Sequence, residues 1–216
     1  MRRRALLALL LTAFVTPTPT AAQAAGFSDP FTTLDAQRWA IGDHPLGLGR
    51  FEPANVGVAG GALALTLPAG TLNGGEVRTN ALWGAGTFRA RMQAAPAAGS
   101  LSAFFLYAPP DYQSEVDIEI VGDSVLLSTY AGGGQTHTET RPLGFDPAAA
   151  FHDYEIELAR KAVTFRVDGI VLRTWKNGLP KAPMALYVNA WFPTWLGGLP
   201  PATATATLVD SVTVAG

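Results

Sequence analysis

The sequence predicts an all-β protein: two antiparallel sheets packed as a sandwich of the jelly-roll kind. Three observations lead there. Short runs rich in Val, Ile, Thr, Phe and Tyr alternate apolar with polar residues and recur at roughly 8–12-residue spacing. Turn formers separate these runs, with 23 Gly and 16 Pro in 216 residues. No stretch longer than a few residues keeps the 3.6-residue period of an amphipathic helix.

The elements follow in chain order. Residues 1–24 read as a signal peptide: Arg2, Arg3 and Arg4 precede an apolar stretch from Ala5 to Val15, and Ala22-Gln23-Ala24 forms an A-x-A-like cleavage site. The apolar part is shorter than the about 20 residues of a membrane span, so the expectation is export. The mature chain is then secreted, extracellular or periplasmic, with no membrane association after cleavage. Beyond it, "VAGGA" (58–62) predicts a tight turn and "ALALTL" (62–67) a strand with one buried face. "GTFRARMQA" (86–94), "SAFFLYA" (102–108) and "HDYEIELA" (152–159) read the same way. "AVTFRVDGIVLRTW" (162–175) is two strands joined at Asp168-Gly169, which supply the positive φ angles of a hairpin turn. "MALYVNAWF" (184–192) and "ATATLVDSVTVAG" (204–216) complete the set. No linker or repeat divides residues 25–216, so they are expected to form a single domain.

Composition excludes several function classes. A formal net charge of -2 and the lack of a basic stripe argue against nucleic acid as a partner. Without Cys there is no disulfide framework, thiolate nucleophile or zinc-thiolate site. His44, His137 and His152 are scattered, with no nucleophile elbow, HExxH or phosphate loop nearby. His152 reads as capping or packing a strand, and the Gly-rich "AGGGQTH" (131–137) as a loop at the rim of a cleft.

The stretch that carries chemistry is "SEVDIEIVG" (114–122). Alternate residues of a strand share a face, so Val116, Ile118 and Ile120 point to the core while Glu115, Asp117 and Glu119 point away from it. Three carboxylates in a row with no interleaved cation repel one another, which a merely solvated face would avoid. The outer two Cα atoms lie roughly 13–14 Å apart at about 3.4 Å per residue. Side chains leaning together on a concave sheet approach the about 5–5.5 Å of a retaining glycosidase pair, whereas inverting enzymes need about 6.5–9.5 Å. The middle Asp would share a proton, so that one Glu stays ionised while the other keeps its proton as acid. A calcium site is the competing reading, but a straight strand does not wrap an ion.

E-V-D-I-E followed by I-V-G resembles the active-site signature of glycoside hydrolase family 16, in the unbulged E-x-D-x-E form of its bacterial lichenase and xyloglucan-endotransglycosylase branches. Other stretches fall in the family's order over the whole mature chain: "FSDPF" (27–31), "FEPANV" (51–56), "GGEVRT" (74–79) with "GAGTFRARMQ" (84–93), "YVNAWFPTWLGG" (187–198) and "LVDSVTV" (208–214). The resemblance implies a concanavalin A-like jelly roll with a concave substrate cleft and a secreted retaining endo-β-glucanase, with Glu115 as nucleophile, Asp117 as its partner and Glu119 as acid/base. It also implies Glu76, Arg78, Tyr130, Asn189, Trp191 and Trp195 in the sugar-binding cleft. Trp faces suit pyranose rings, while Asn, Glu and Arg suit hydroxyls.

The resemblance further implies a polysaccharide substrate, a β-glucan or an exopolysaccharide, no cofactor for catalysis, and a monomer. A structural calcium would sit at Pro30 and Gly61, through backbone oxygen, and at Asp210. The chain departs from lichenases in lacking Cys, in carrying Gln113 and Ser114 where they have a Trp-Asp pair, and in a short Gly/Pro-rich stretch between Trp39 and Phe51. These departures leave the polysaccharide open. A transglycosylase, an exopolysaccharide depolymerase and a non-catalytic lectin-like sandwich are the alternatives.

Overall fold

A computed structural model describes residues 25–216; the expected signal peptide, residues 1–24, lies outside the described residues. The first strands are β1 (Phe27–Asp29), β2 (Trp39–Ile41), β3 (Pro45–Leu46), β4 (Gly49–Arg50), β5 (Val56–Ala59) and β6 (Ala62–Leu67). Next come β7 (Gly75–Thr79), β8 (Gly86–Gln93), β9 (Leu101–Ala108), β10 (Ser114–Val121), β11 (Ser124–Ala131) and β12 (Gln135–Pro142). The last are β13 (His152–Ala159), β14 (Ala162–Val167), β15 (Ile170–Trp175), β16 (Ala185–Trp191) and β17 (Thr205–Ala215). Among the described residues the only helical turn is a short 3-10 segment, Pro53–Asn55.

One sheet runs β15-β14-β13-β8-β17-β6-β5, with β1 also paired to β17; the other runs β12-β11-β10-β9-β16-β7-β2. Every pairing in both sheets is antiparallel. The sandwich core follows from the period-2 pattern. Val116, Ile118, Phe104, Leu106, Leu186 and Val188 from the second sheet are buried against Phe88, Met92, Ile156, Phe165, Leu63 and Leu65 from the first. Each alternates with residues on the opposite face, so burying one set commits the other to the outside of the sandwich.

The predicted hairpin turn forms as expected, with Asp168 at φ 50 and Gly169 at φ 78 joining β14 to β15. Gly60 and Gly61 turn β5 into β6. β11 and β12, which are not among the strands named from the sequence pattern, complete the cleft-bearing sheet beyond β10. The Gly-rich stretch is the turn between them, and Gly132 and Gly133 donate backbone N–H groups to Gln113 and Tyr112 at its rim. His152 packs as predicted, stacked on Phe145 at 3.7 Å with its Nδ1 2.7 Å from Asp168.

Candidate active site

The outer face of the second sheet carries the site. β10 pairs with β9 and β11 in unbroken register from Ser114 to Ile120, so no bulge interrupts the E-x-D-x-E spacing. Glu115, Asp117 and Glu119 therefore stand on one face, opposite the buried Val116, Ile118 and Ile120. Register then builds rows across the sheet. Glu119 lies beside Ala103, Ala103 beside Asn189, and Asn189 beside Glu76. Asp117 leads through Phe105 and Tyr187 to Arg78, and Glu115 lies between Tyr107 and Tyr130. At about 4.8 Å per strand, Glu76 is roughly 14 Å from Glu119 along its row.

These rows line a cleft of about 490 Å³ that takes in all three β10 carboxylates with Glu76, Tyr130, Asn189, Trp191 and Trp195. Of the residues expected in the cleft, Arg78 alone stands apart. It is exposed on the face that Glu76 shares, opposite Tyr187, and its side chain reaches only the Thr79 carbonyl at 3.5 Å. The cleft also holds residues that the motif did not single out: His44, Phe105, Tyr107, Asp111, Tyr112 and Tyr187. The aromatic positions on β9 and β16 could have been found by continuing the every-second-residue face outward from Glu115. His44 carries no such signal, because it lies on a loop outside the sheet and its partner Glu76 is 32 residues away in sequence.

Burial sets the electrostatics. Glu115 is pushed up to about 7 by burial first, then by the negative charges of Glu119 and Asp111. Burial pushes Glu119 up to about 7 as well. Asp117, 5% exposed, is raised well above the carboxylate range by burial and by its two neighbours. Its Oδ1 is buried and has no hydrogen-bond partner, as suits a carboxyl group that keeps its proton. Three crowded carboxyl groups cannot all ionise, so they hold protons near neutrality as a coupled set.

The cleft walls are held by polar bonds. Asn189 Nδ2 donates to Glu76 Oε2 at 3.1 Å, and His44 Nε2 lies 3.1 Å from Glu76 Oε1. Tyr130 accepts a hydrogen bond from Gln135 Nε2 at 2.9 Å, leaving its own phenol proton for a second acceptor. Tyr112 packs against Tyr130 with ring centroids 5.6 Å apart. Trp195 is 56% exposed at the cleft and Trp191 half-buried, so neither is a core residue.

The expected calcium residues lie away from the cleft. β1 pairs with β17 from Val212 to Val214 and β6 pairs with it from Thr205 to Val209, so Pro30 follows the first pairing, Gly61 precedes β6, and Asp210 lies between the two paired stretches. A bulge between Val209 and Ser211 turns Asp210 outward. Two carbonyls and a carboxylate are hard oxygen donors of the type calcium takes, but Arg91 Nε already sits 3.9 Å from Asp210 Oδ2. Among the described residues no group of three or more His, Cys, Asp or Glu side chains could hold a metal.

Comparison with known proteins places this geometry. Residues 50–207 match the family described as Glycosyl hydrolases family 16. The chain is 31% identical over 201 residues to a beta-glucanase of Bacillus subtilis (strain 168), covering 85% of this chain and 83% of the relative. It is 34% identical over 146 residues to a beta-glucanase of Bacillus amyloliquefaciens, covering 62% of this chain and 61% of that relative. Among solved structures it shares the fold of a Bacillus licheniformis beta-glucanase, with a TM-score of 0.82 at 24% identity over 89% of this chain and 99% of that one. The kappa-carrageenase of Pseudoalteromonas carrageenovora has the same fold at a TM-score of 0.72 and 19% identity, covering 94% and 98%. One sandwich thus serves more than one polysaccharide. The match across most of the chain, with the E-x-D-x-E strand inside it, makes this protein a glycosidase belonging to glycosyl hydrolase family 16.

Proposed function

We propose that the protein is an exported, retaining endo-β-glucanase acting on mixed-linkage β-1,3-1,4-glucan or a closely related β-glucan. The observation that carries this reading is the unbulged carboxylate trio on the cleft floor, with both outer Glu residues raised to about 7. The β-glucanase names of the Bacillus relatives support the substrate class.

Ionised Glu115 attacks the anomeric carbon, and a protonated Glu119 donates to the departing glycosidic oxygen. The C–O bond to the leaving sugar breaks as the glycosyl ester to Glu115 forms. Glu119, now ionised, takes a proton from water; the water attacks the same carbon, releases Glu115 as carboxylate, and returns the net configuration. Asp117 keeps a proton between the two, which limits the build-up of negative charge on one strand face. Glu76 and Asn189, with Tyr130, Trp191 and Trp195, bind the sugar chain on either side of β10, and Arg78 extends that surface beyond Tyr187. The chemistry calls on no cofactor. Pro30, Gly61 and Asp210 would hold a calcium ion that ties β1 and β6 to β17, with no part in the reaction. The protein works as a monomer on polysaccharide.

Reducing-end release from barley β-glucan, laminarin, xyloglucan and a galactan tests the reading, with Glu115→Gln and Glu119→Gln alongside. Mixed-linkage glucan should be cleaved with the β-anomer formed first, and Glu119→Gln should lose about 10²–10⁴-fold in rate. Cleavage of the galactan alone would overturn the β-glucanase assignment, and first release of the α-anomer would overturn the retaining one.

A further inference from the structure

His44 stands in a cleft it has no sequence motif to explain, on the loop between β2 and β3. Its Nδ1 lies 3.2 Å from the Pro45 carbonyl oxygen and its Nε2 lies 3.1 Å from Glu76 Oε1. A carbonyl oxygen and a carboxylate oxygen both accept, so each ring nitrogen faces an acceptor, and the imidazole can donate to Glu76 through Nε2–H. The other carboxyl oxygen of Glu76 accepts from Asn189, and both residues are buried, at 4% and 2% exposure.

The loop is shaped around that carboxylate. Gly42 donates its N–H to the Glu76 carbonyl at 2.9 Å, and a Cβ at Gly42 would stand 2.8 Å from Glu76 Oε1. Backbone contacts hold the loop independently of the imidazole: Leu48 donates to Phe192 at 2.9 Å and Phe51 to the His44 carbonyl at 2.9 Å. The ring itself meets Phe51 edge-on at 5.2 Å. Neighbouring charges are accounted for. Asp43, on the same loop, pairs with Arg50 of β4 at 2.8 Å, and Glu52 lies 3.9 Å from that Arg. On β7, Arg78 acts on Glu76 through space; Asn189 and Tyr187 face it from β16. Burial raises the Glu76 carboxyl group against the lowering by its Asn189 and His44 partners.

We propose that His44 is a positioning residue for sugar binding: its Nε2–H donates to Glu76 and fixes that carboxylate so that its remaining lone pairs accept from sugar hydroxyls. The inference rests on Glu76 being a sugar-binding residue, as proposed above. Without that donor the carboxylate is held by Asn189 alone and is free to turn away.

The test is KM and kcat on barley β-glucan for wild type, His44→Ala, His44→Gln and Glu76→Ala, with thermal melts as the folding control. His44→Ala should show KM raised about tenfold with kcat nearly unchanged. His44→Gln, whose amide can donate to Glu76, should restore a low KM. A wild-type KM in His44→Ala would overturn the proposal, as would equal losses of kcat and melting temperature in both His44 variants. If Glu76→Ala also leaves KM unchanged, the sugar-binding role of Glu76 fails as well; a raised KM in Glu76→Ala alone confines the failure to His44.

Discussion

The Tyr107 hydroxyl donates to Asp111 Oδ1 at 2.6 Å, and that bond fixes a fourth carboxylate where its charge reaches Glu115. Asp111 is not part of the E-x-D-x-E strand, yet its negative charge opposes ionisation of Glu115. Replacing Asp111 by Asn should therefore lower the Glu115 pKa from about 7, so that the nucleophile ionises at lower pH. The acidic limb of kcat/KM should move down by a few tenths of a unit to about one unit, while the basic limb, set by Glu119, stays. A pH–rate profile of Asp111→Asn against wild type measures it; an upward or absent shift of the acidic limb refutes the coupling.

The same raised carboxyl groups make the folded protein less stable as pH rises. A group whose folded pKa is about 7 but whose unfolded pKa is near 4.5 binds more protons when folded between those values. Stability is thus greatest below pH 4.5 as far as these groups are concerned, and falls through pH 7. Glu115→Gln and Glu119→Gln should each be more stable than wild type at pH 7.5, by about 1–3 kcal/mol, with the gain shrinking toward zero at pH 4.5. Calorimetric melts at the two pH values decide it, and a gain independent of pH would mean that packing rather than charge was relieved.

The alternating pattern makes the trio and its core partners legible in the sequence itself, because a strand has only two faces and Val116, Ile118 and Ile120 claim one. The Asp168-Gly169 turn is legible for a similar reason: its backbone angles demand those residues. The strands beyond β10 are not. "SVLLSTYA" is followed by a polar "QTHTETRP", which loses its apolar alternation because it forms an edge strand with no fully buried face. His44 is illegible for a different reason. It is brought to Glu76 by a loop and hairpin that pack closely on distant strands, with Gly42 against the Glu76 side chain and Gly47 against Trp191 and Phe192. Arg78 shows the limit from the other side: the pattern places it on the correct face, but not how far along the sheet the cleft extends.

Asp29 anchors the first strand to the body of the fold. Its carboxylate accepts from the Phe31 N–H at 2.9 Å, from Arg38 at 2.7 Å and from the Trp39 indole N–H at 2.9 Å, and both Asp29 and Trp39 are buried. Burial alone would raise this carboxyl group, but those donors hold it below the ordinary range. Asp29→Ala leaves an indole N–H and a backbone N–H buried without partners, and should cost about 2–4 kcal/mol in urea unfolding at pH 7. Because the folded pKa is depressed, the loss should narrow as pH falls below about 3.8. A loss under about 0.5 kcal/mol would mean that water satisfies the freed donors.

The small β3–β4 hairpin should control the cleft wall through Gly47. Its φ of 59 is a left-handed conformation that side chains rarely adopt. A Cβ there would stand 2.4 Å from the Phe192 carbonyl oxygen and 2.5 Å from the Trp191 ring, closer than packed atoms tolerate. Gly47→Ala must therefore lift the hairpin or push the Trp191 indole, and Trp191 lines the cleft. The hairpin carries little of the sandwich core, so the stability loss should be modest, about 1–3 kcal/mol. The effect on sugar binding should be larger in proportion: KM for barley β-glucan rising about three- to tenfold with kcat changed less than twofold, since β10 is untouched. Intrinsic tryptophan fluorescence gives an independent readout, because displacing the hairpin exposes Trp191 and should shift its emission to the red. A variant that melts lower but keeps KM and emission would show that the hairpin braces the fold without shaping the cleft.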